Sequence, residues 1–222
     1  MTPVDTSTRS WLARALPRVL GAAGVVLVLG IALGEAAKHG AVPFDRAVTR
    51  DLSDLGRSHS TLRVAMEVVT FFGSTAWLTG VVLVTTIASI ARRAVAQAVR
   101  LVLCTGVGAA LATVLKVIVD RPRPPTSYAL VHATGLSFPS GHAMNSTVVY
   151  GALMLLFVAP TAGRSRAAVA VATAVAVALI ALSRLVLGVH YLTDVVGGLV
   201  LGTTWLALIR PVMEPDARES DG

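Results

Sequence analysis

Charged and polar side chains gather at the ends of apolar runs in three places along the sequence. The first segment reads KVIVDRPRP over Lys116–Pro124, the second reads FPSGH over Phe138–His142, and the third reads SRLVLGVHYLTD over Ser183–Asp194. Ionisable residues inside or at the ends of membrane spans are costly, so each is a candidate for function. The residue types in these segments are those that phosphoryl transfer requires.

The basic residues of the three segments can bind a phosphate group. Lys116, Arg123 and Arg184 can neutralise its oxygens, and each guanidinium offers paired N–H donors. Ser140, together with backbone N–H groups at a helix N-terminus, can complete the phosphate site.

Two histidines remain for bond and proton chemistry. Asp194 follows His190 by four residues and can orient that imidazole, so that its other nitrogen acts as a nucleophile. His142 can protonate the departing oxygen.

Each segment also has a simpler explanation. Lys116 could extend toward the interface and Arg123 could anchor there, while Ser140 could cap a helix. His190 and Asp194 could be a hydrogen-bonded pair or two metal ligands. Three converging cations would repel a divalent ion, however, and the joint occurrence of all three segments favours a phosphate site.

The three segments together resemble the type 2 phosphatidic acid phosphatase superfamily, also called lipid phosphate phosphatases, whose fold is shared with vanadium haloperoxidases. The family pattern is Lys, six residues, Arg-Pro; then Pro-Ser-Gly-His; then Ser-Arg, five residues, His, three residues, Asp. The sequence matches this pattern at every position: Lys116, Arg123, Pro124, Pro139 to His142, Ser183, Arg184, His190 and Asp194.

The resemblance implies metal-independent hydrolysis, without a cofactor, through a phosphohistidine on His190 and with His142 as the acid. It also implies which residues hold the phosphate: Lys116, Arg123, Ser140, Gly141 and Arg184. We expect the substrate to be phosphatidate, phosphatidylglycerol phosphate or a polyprenyl monophosphate or diphosphate. A phosphotransferase with an acceptor other than water would use the same site. A lipid transporter is disfavoured, because its charges would lie around a midplane site.

The composition places these segments in a membrane protein. Hydrophobic residues make up 55% of the 222 residues and charged residues only 14%, and the mean hydropathy is +0.74. The hydrophobic share is higher, and the charged share lower, than in ordinary soluble domains. The net charge of +7 does not indicate nucleic acid as a partner, because the basic residues are scattered and aromatic residues make up only 5%.

Six apolar runs predict membrane-spanning helices, since a span needs roughly 20 mostly apolar residues. The runs are Val19–Ala36, Val68–Ile90, Val95–Val119, Ala143–Ala159, Ala167–Leu187 and Val195–Ile209. We therefore expect an all-α, polytopic membrane bundle with one domain over residues 1–222, a short polar N-terminal segment and a polar tail over Glu214–Gly222. The first run is expected to be a retained helix, because no clear cleavage site precedes Glu35.

Basic loops predict the orientation of this bundle. An even number of spans places both termini on one side, and arginines follow spans two and four on that side: Arg92, Arg93, Arg100, Arg164 and Arg166. Cytoplasmic loops are rich in Lys and Arg, so we expect cytoplasmic termini in the plasma membrane. The three segments then form an active site at the outer membrane face, among membrane lipids.

Several residues outside the motifs also carry expectations. Phe44, Val48, Leu52 and Leu55 recur at helical spacing, which predicts an amphipathic helix on the outer membrane surface. Three histidines match no motif and are expected at the solvated surface: His39, His59 and His132.

Two further features concern neighbouring charges and small residues. Asp120 and Arg121 either pair with each other or line the entrance of the site, and we leave them outside it. Two glycine pairs, Gly30 with Gly34 and Gly198 with Gly202, indicate close helix packing.

Overall fold

The computed structural model describes residues 6–39, 42–158 and 164–213, and every regular element within these ranges is helical. The α-helices in these ranges are α1 (Thr6–His39), α2 (Val42–Ser58), α3 (Ser60–Phe71), α4 (Thr75–Ala91), α5 (Val95–Val119), α6 (Gly141–Leu153), α7 (Arg164–Val186) and α8 (Leu192–Met213). A π-helical segment, Met154–Val158, continues α6. The predicted polar ends of the chain, residues 1–5 and 214–222, lie outside the described residues.

Within the described ranges, six helical segments are long and apolar enough to cross a membrane. Their outer surfaces are apolar, with Val28 and Val117 each 70% exposed and Val84 68% exposed. Large apolar surfaces of this kind belong in lipid, and helices satisfy their backbone hydrogen bonds there. The predicted all-α membrane protein with six spans is confirmed.

Several helices extend beyond the predicted spans. α1 begins at Thr6 rather than near Val19, and α8 begins at Leu192 rather than at Val195. Helical hydrogen bonds do not end where the apolar residues end, so hydropathy alone sets these bounds too short. The third predicted span coincides with α5. The predicted end of span four, Ala159, lies outside the described residues.

Span two, predicted as one helix over Val68–Ile90, is broken between α3 and α4. Ser74 caps α4 through its Oγ, which accepts a hydrogen bond at 3.3 Å from a backbone N–H of the first turn. Gly73 is buried in the break, and a Cβ at this position would lie only 3.0 Å from His142 Cδ2. The break therefore brings span two into contact with the start of α6.

The predicted amphipathic segment forms α2, and the face that packs on the bundle is polar. Asp45, Thr49 and Ser53 are fully buried on this face, which contacts α7 and α8. Phe44 is 61% exposed and Leu55 43% exposed on the adjacent face. The helix is confirmed, and its contact with a membrane surface stays a prediction.

Small residues allow the spans to approach closely. A Cβ on Gly198 of α8 would lie 2.8 Å from the carbonyl oxygen of Ser140, and Gly202 faces α6 at similar distances. Gly30 and Gly34 of α1 face α5 in the same way. The close packing predicted from both glycine pairs is confirmed, and the contact at Gly198 fixes the start of α6.

Candidate active site

The three segments identified in the sequence meet at one end of the bundle. Lys116 lies in the last turn of α5, His142 in the first turn of α6, and His190 in the connection between α7 and α8. Three cations lie close enough to His142 for their charges to act on its imidazole: Lys116, Arg123 and Arg184. The helix ends thus surround one space with positive charge.

His190 is the buried nucleophile candidate. Its Nδ1 lies 3.5 Å from Asp194 Oδ2, and its Nε2 lies 3.2 Å from Arg123 Nη1. With the Nδ1 proton directed at the carboxylate, Nε2 carries the lone pair, which accepts a hydrogen bond from Arg123 Nη1. Burial lowers the pKa of His190 to about 4, although the hydrogen bond and charge of Asp194 raise it. The imidazole is therefore neutral at neutral pH.

A tight turn presents His190 to the site. Gly188 has a φ of +69°, and a Cβ there would collide with the carbonyl group of Tyr128. The backbone N–H of Leu130 donates to the carbonyl oxygen of Leu187 at 3.0 Å. The loop between α5 and α6 therefore packs directly on the turn that carries the nucleophile.

Main-chain carbonyl groups hold two of the cations. Arg123 Nη1 donates to the carbonyl oxygen of Val189 at 2.7 Å, and Nη2 donates to that of Thr134 at 2.9 Å. Lys116 Nζ donates to two carbonyl oxygens of the loop between α5 and α6, at 2.8 and 2.9 Å. Both cations are thus fixed in advance of any ligand.

Ser140 and Arg184 are buried and retain unused hydrogen-bonding atoms. Ser140 occupies the N-cap position of α6, as its simpler explanation supposed, but its side chain makes no capping hydrogen bond. Arg184 Nη1 donates to Thr70 Oγ1 at 2.6 Å. Among the described residues, neither Ser140 Oγ nor Arg184 Nε has a partner. Buried polar atoms without partners are rare, and an anionic ligand fits such positions.

All the residues predicted for the site lie at this end of the bundle: Lys116, Arg123, Ser140, Gly141, His142, Arg184, His190 and Asp194. Gly141 lies against the lysine, since a Cβ there would be 3.9 Å from Lys116 Cε. His142 is partly exposed, as expected for a proton donor to a ligand. Their individual roles stay predictions.

Asp194 is held by residues that the sequence analysis left outside the site. Arg121 Nη1 donates to Asp194 Oδ1 at 2.5 Å, and Ser137 Oγ donates to Asp194 Oδ2. Arg121 Nη2 donates to Asp45 Oδ2 at 2.6 Å, so Arg121 pairs with these two carboxylates rather than with the exposed Asp120. The signal in the sequence is only that Arg121 and Ser137 stand beside motif residues.

The remaining histidines lie away from this arrangement. They are exposed, as predicted: His39, His59 and His132. Across residues 6–39, 42–158 and 164–213, no group of three or more His, Cys, Asp or Glu side chains is placed to hold a metal ion. Metal-independent chemistry stays a prediction.

Residues 97–217 match the PAP2 superfamily. Over 151 residues the chain is 31% identical to phosphatidylglycerophosphatase B of Bacillus subtilis. This alignment covers 67% of this chain and 74% of that protein. Over 103 residues it is 40% identical to decaprenylphosphoryl-5-phosphoribose phosphatase of Mycolicibacterium smegmatis, which covers 43% of this chain and 51% of that protein.

The fold also resembles a solved structure. A crystal structure of a transmembrane PAP2-type phosphatidylglycerolphosphate phosphatase from Bacillus subtilis superposes with a TM-score of 0.75 at 28% sequence identity. The superposition covers 85% of this chain and 94% of the other. The likeness therefore extends into the part of the chain that precedes the family match.

Proposed function

The chain belongs to the PAP2 superfamily, and from that membership and the geometry of the site we propose that it is a membrane phosphatase that hydrolyses a lipid phosphate through a phosphohistidine. His190 is the nucleophile, Asp194 orients it, and His142 is the acid. The phosphate is held by the remaining motif residues: Lys116, Arg123, Ser140, Gly141 and Arg184.

The reaction has two steps. His190 Nε2 attacks phosphorus, so that an N–P bond forms as the ester P–O bond breaks, and His142 gives its proton to the departing alkoxide. Water then attacks the phosphohistidine and transfers a proton to His142. Inorganic phosphate and neutral His190 are released. Asp194 keeps the Nδ1 proton in place and balances the positive charge that the ring acquires in the first step.

The observation that carries this proposal is the position of His190 Nε2, 3.2 Å from Arg123 Nη1 and within a ring of cations. Phosphoryl transfer spreads negative charge over three equatorial oxygens, and fixed cations stabilise that charge. The unused atoms of Ser140 and Arg184 supply further hydrogen-bonding capacity. Charge neutralisation by Lys116 and the two arginines leaves no step that requires a metal or cofactor.

A groove between α4, α5 and α6 supports a lipid as the substrate. Its volume is about 290 Å³ and its lining is mostly apolar. Thr75, directly after the break in span two, and Asn145, one turn after Gly141, line the groove nearest the site. The apolar tail lies in this groove while the phosphate occupies the site. Phosphatidate, phosphatidylglycerol phosphate and polyprenyl phosphates all combine these two parts.

The location proposed for the site is the outer face of the plasma membrane, with both termini in the cytoplasm. The arginines after spans two and four support this orientation. The headgroup then reaches the site from the outer leaflet, without crossing the bilayer.

Phosphate release by the purified protein tests the activity. The substrates are phosphatidate, phosphatidylglycerol phosphate and a polyprenyl monophosphate and diphosphate, each with and without EDTA or vanadate. We expect release to continue in EDTA and to fall with vanadate, which imitates five-coordinate phosphorus. Release that depends on an added divalent metal would contradict the metal-independent mechanism.

Rapid-quench labelling with radioactive substrate tests the intermediate. We expect a labelled protein with the wild type, none with His190→Ala, and wild-type labelling with the matched surface variant His132→Ala. Label trapped in His190→Ala would show that His190 is not the nucleophile. An added alcohol distinguishes hydrolysis from transfer, since a phosphotransferase would yield an alkyl phosphate in place of inorganic phosphate.

A further inference from the structure

We infer that Arg121 is a positioning residue for phosphoryl transfer, which joins Asp45 to Asp194 and thereby fixes the carboxylate that orients His190. This inference rests on the proposed function, because the orientation of Asp194 matters only if His190 attacks phosphorus. Arg121 acts through Asp194 and contacts none of the reacting atoms. The motif residues next to it in the sequence face the phosphate instead.

The contacts of Arg121 are extensive for a loop residue. The residue is 3% exposed. Nη1 donates to Asp194 Oδ1 at 2.5 Å and to Thr193 Oγ1 at 2.7 Å. Nη2 donates to Asp45 Oδ2 at 2.6 Å and to the carbonyl oxygen of Ala37 at 2.9 Å. One planar guanidinium therefore joins the ends of α1, α2 and α8, which a lysine with a single nitrogen could not do.

These contacts leave Asp194 one orientation. Its Oδ1 is occupied by Arg121, while Oδ2 accepts from Ser137 Oγ and from the backbone N–H of Tyr191 at 2.9 Å. The same Oδ2 lies 3.5 Å from His190 Nδ1. Rotation of the carboxylate would break hydrogen bonds at both oxygens, so the edge that faces the nucleophile stays fixed.

The charges in this cluster also fit the reaction. Asp45 and Asp194 are both 0% exposed and share one guanidinium, which leaves one net negative charge. Attack by His190 places a positive charge on its ring, and that charge neutralises the remaining negative charge of the cluster. Without Arg121, two carboxylates would be buried together without a cation, a costly arrangement.

Asp45 extends the network to α2. Its Oδ1 accepts from the backbone N–H of Thr193 at 3.0 Å, at the first turn of α8. Thr49, one turn further along α2, donates from Oγ1 to the carbonyl oxygen of His190 at 3.4 Å. The helix that lies beside the bundle thus supports both His190 and the start of α8, and Arg121 is the residue that connects them.

Steady-state kinetics of Arg121→Met, with Arg57→Met as the matched control, test the inference. Arg57 also joins α2 to the loop between α5 and α6, through a hydrogen bond from Nη2 to the carbonyl oxygen of Ser127 at 2.6 Å, but it contacts no residue of the site. We expect Arg121→Met to lower kcat on the order of 100-fold, the usual cost of removing a residue that orients a functional side chain, with little change in KM. This loss is smaller than the roughly 10⁴-fold loss when the aspartate of a catalytic triad is itself replaced. Arg57→Met should retain the wild-type kcat.

The pH profile separates positioning from a purely structural role. The charged and polar groups that face His190 lie on four elements. They are Asp194 of α8, Arg184 of α7, His142 of α6, and Arg123 and Ser137 of the loop between α5 and α6. Removal of the Arg121 charge leaves the Asp194 charge less balanced, so the acid limb of kcat/KM should move upward by about one pH unit. A residue needed only for folding would lower the amount of active protein without moving that limb.

Arg121→Lys covers the case in which the methionine variant does not fold. It keeps the charge but reaches one carboxylate, so we expect the wild-type acid limb with a kcat reduced on the order of 10-fold. The inference would be overturned if both variants kept the wild-type kcat. It would also be overturned if kcat fell in both variants while the acid limb of kcat/KM in Arg121→Met stayed at its wild-type position. Absence of phosphate release by wild type and Arg57→Met would instead overturn the proposed function.

Discussion

If His190 is the nucleophile, as we propose, its charge state decides whether the site can act. Its burial lowers its pKa to about 4, and only the neutral ring has the lone pair that attacks. We expect kcat/KM to be maintained at pH 6, where an ordinary histidine would be about three-quarters protonated. The value should fall as the pH drops through about 4, because protonation removes the nucleophile.

The measurement is a pH profile of phosphate release, corrected for the separately determined ionisation of the substrate. Activity regained on return to neutral pH is the control for acid unfolding. An acid limb near 6.5 would contradict the neutral, buried nucleophile.

His142 can be separated from His190 through the leaving group. In the proposed mechanism His142→Ala removes only protonation of the departing oxygen. The variant should therefore matter little for p-nitrophenyl phosphate, whose phenolate leaves without a proton. We expect a loss of 100-fold or more with a lipid phosphate, in the usual range of general acid catalysis. Parallel kcat measurements on both substrates check this, and equal losses would show that His142 has another role.

At the residue scale, spacing predicts the motif residues but not the residues behind them. Asp194 lies within reach of His190 because only three residues separate them. Asp45 precedes Arg121 by 76 residues, and the sequence around neither residue predicts the contact. The pairing depends on the path of α2 across the ends of α7 and α8, which a single sequence does not specify.

At the element scale, the groove makes a prediction about substrate length. Ala109 lines it on α5, and Ala109→Phe should obstruct it. We expect KM for a long-tailed lipid phosphate to rise on the order of 10-fold, since about two buried methylene groups are displaced at about 0.8 kcal/mol each. Kinetics on p-nitrophenyl phosphate should be unchanged.

Val114→Phe is the matched control, because Val114 lies on the same helix, is 44% exposed and does not line the groove. An unchanged KM for the lipid in Ala109→Phe, or the same increase in Val114→Phe, would place the tail elsewhere.

The break between α3 and α4 shows what hydropathy omits at this scale. A lone glycine within an apolar run is compatible with a continuous helix, so Gly73 alone does not predict an interruption. Its reason is tertiary, since the backbone at Gly73 approaches Ile180 of α7 and His142 of α6 too closely for a side chain. By contrast, α2 was predictable because its apolar residues recur at one helical spacing.

For the whole molecule, orientation is the prediction to test. Cys104, the single cysteine, is fully buried, so single-cysteine substitutions can be labelled without removing it. His132→Cys lies in the loop beside the site and Arg92→Cys lies between α4 and α5, and both positions are exposed. We expect an impermeant maleimide to label His132→Cys in intact cells and Arg92→Cys only after lysis.

Wild-type protein, which should remain unlabelled, is the control for Cys104. The reverse pattern would place the site at the inner face.

The number of spans was predictable because bilayer thickness fixes helix length. Orientation rests on a difference in loop charge, and the loops beside the site are also basic because the phosphate requires cations there.

The distribution of the site along the chain has a consequence for biosynthesis. α8, the last described helix, supplies Asp194 and the face at Gly198 against which α6 begins. A nascent chain that has emerged through α7 already carries His142 and Arg184 but lacks both of these supports. A product ending before Leu192 should therefore insert without releasing phosphate in a coupled translation assay. Insertion of the final helix would then be the step that activates the enzyme. An incomplete chain would not dephosphorylate lipids near the translocon.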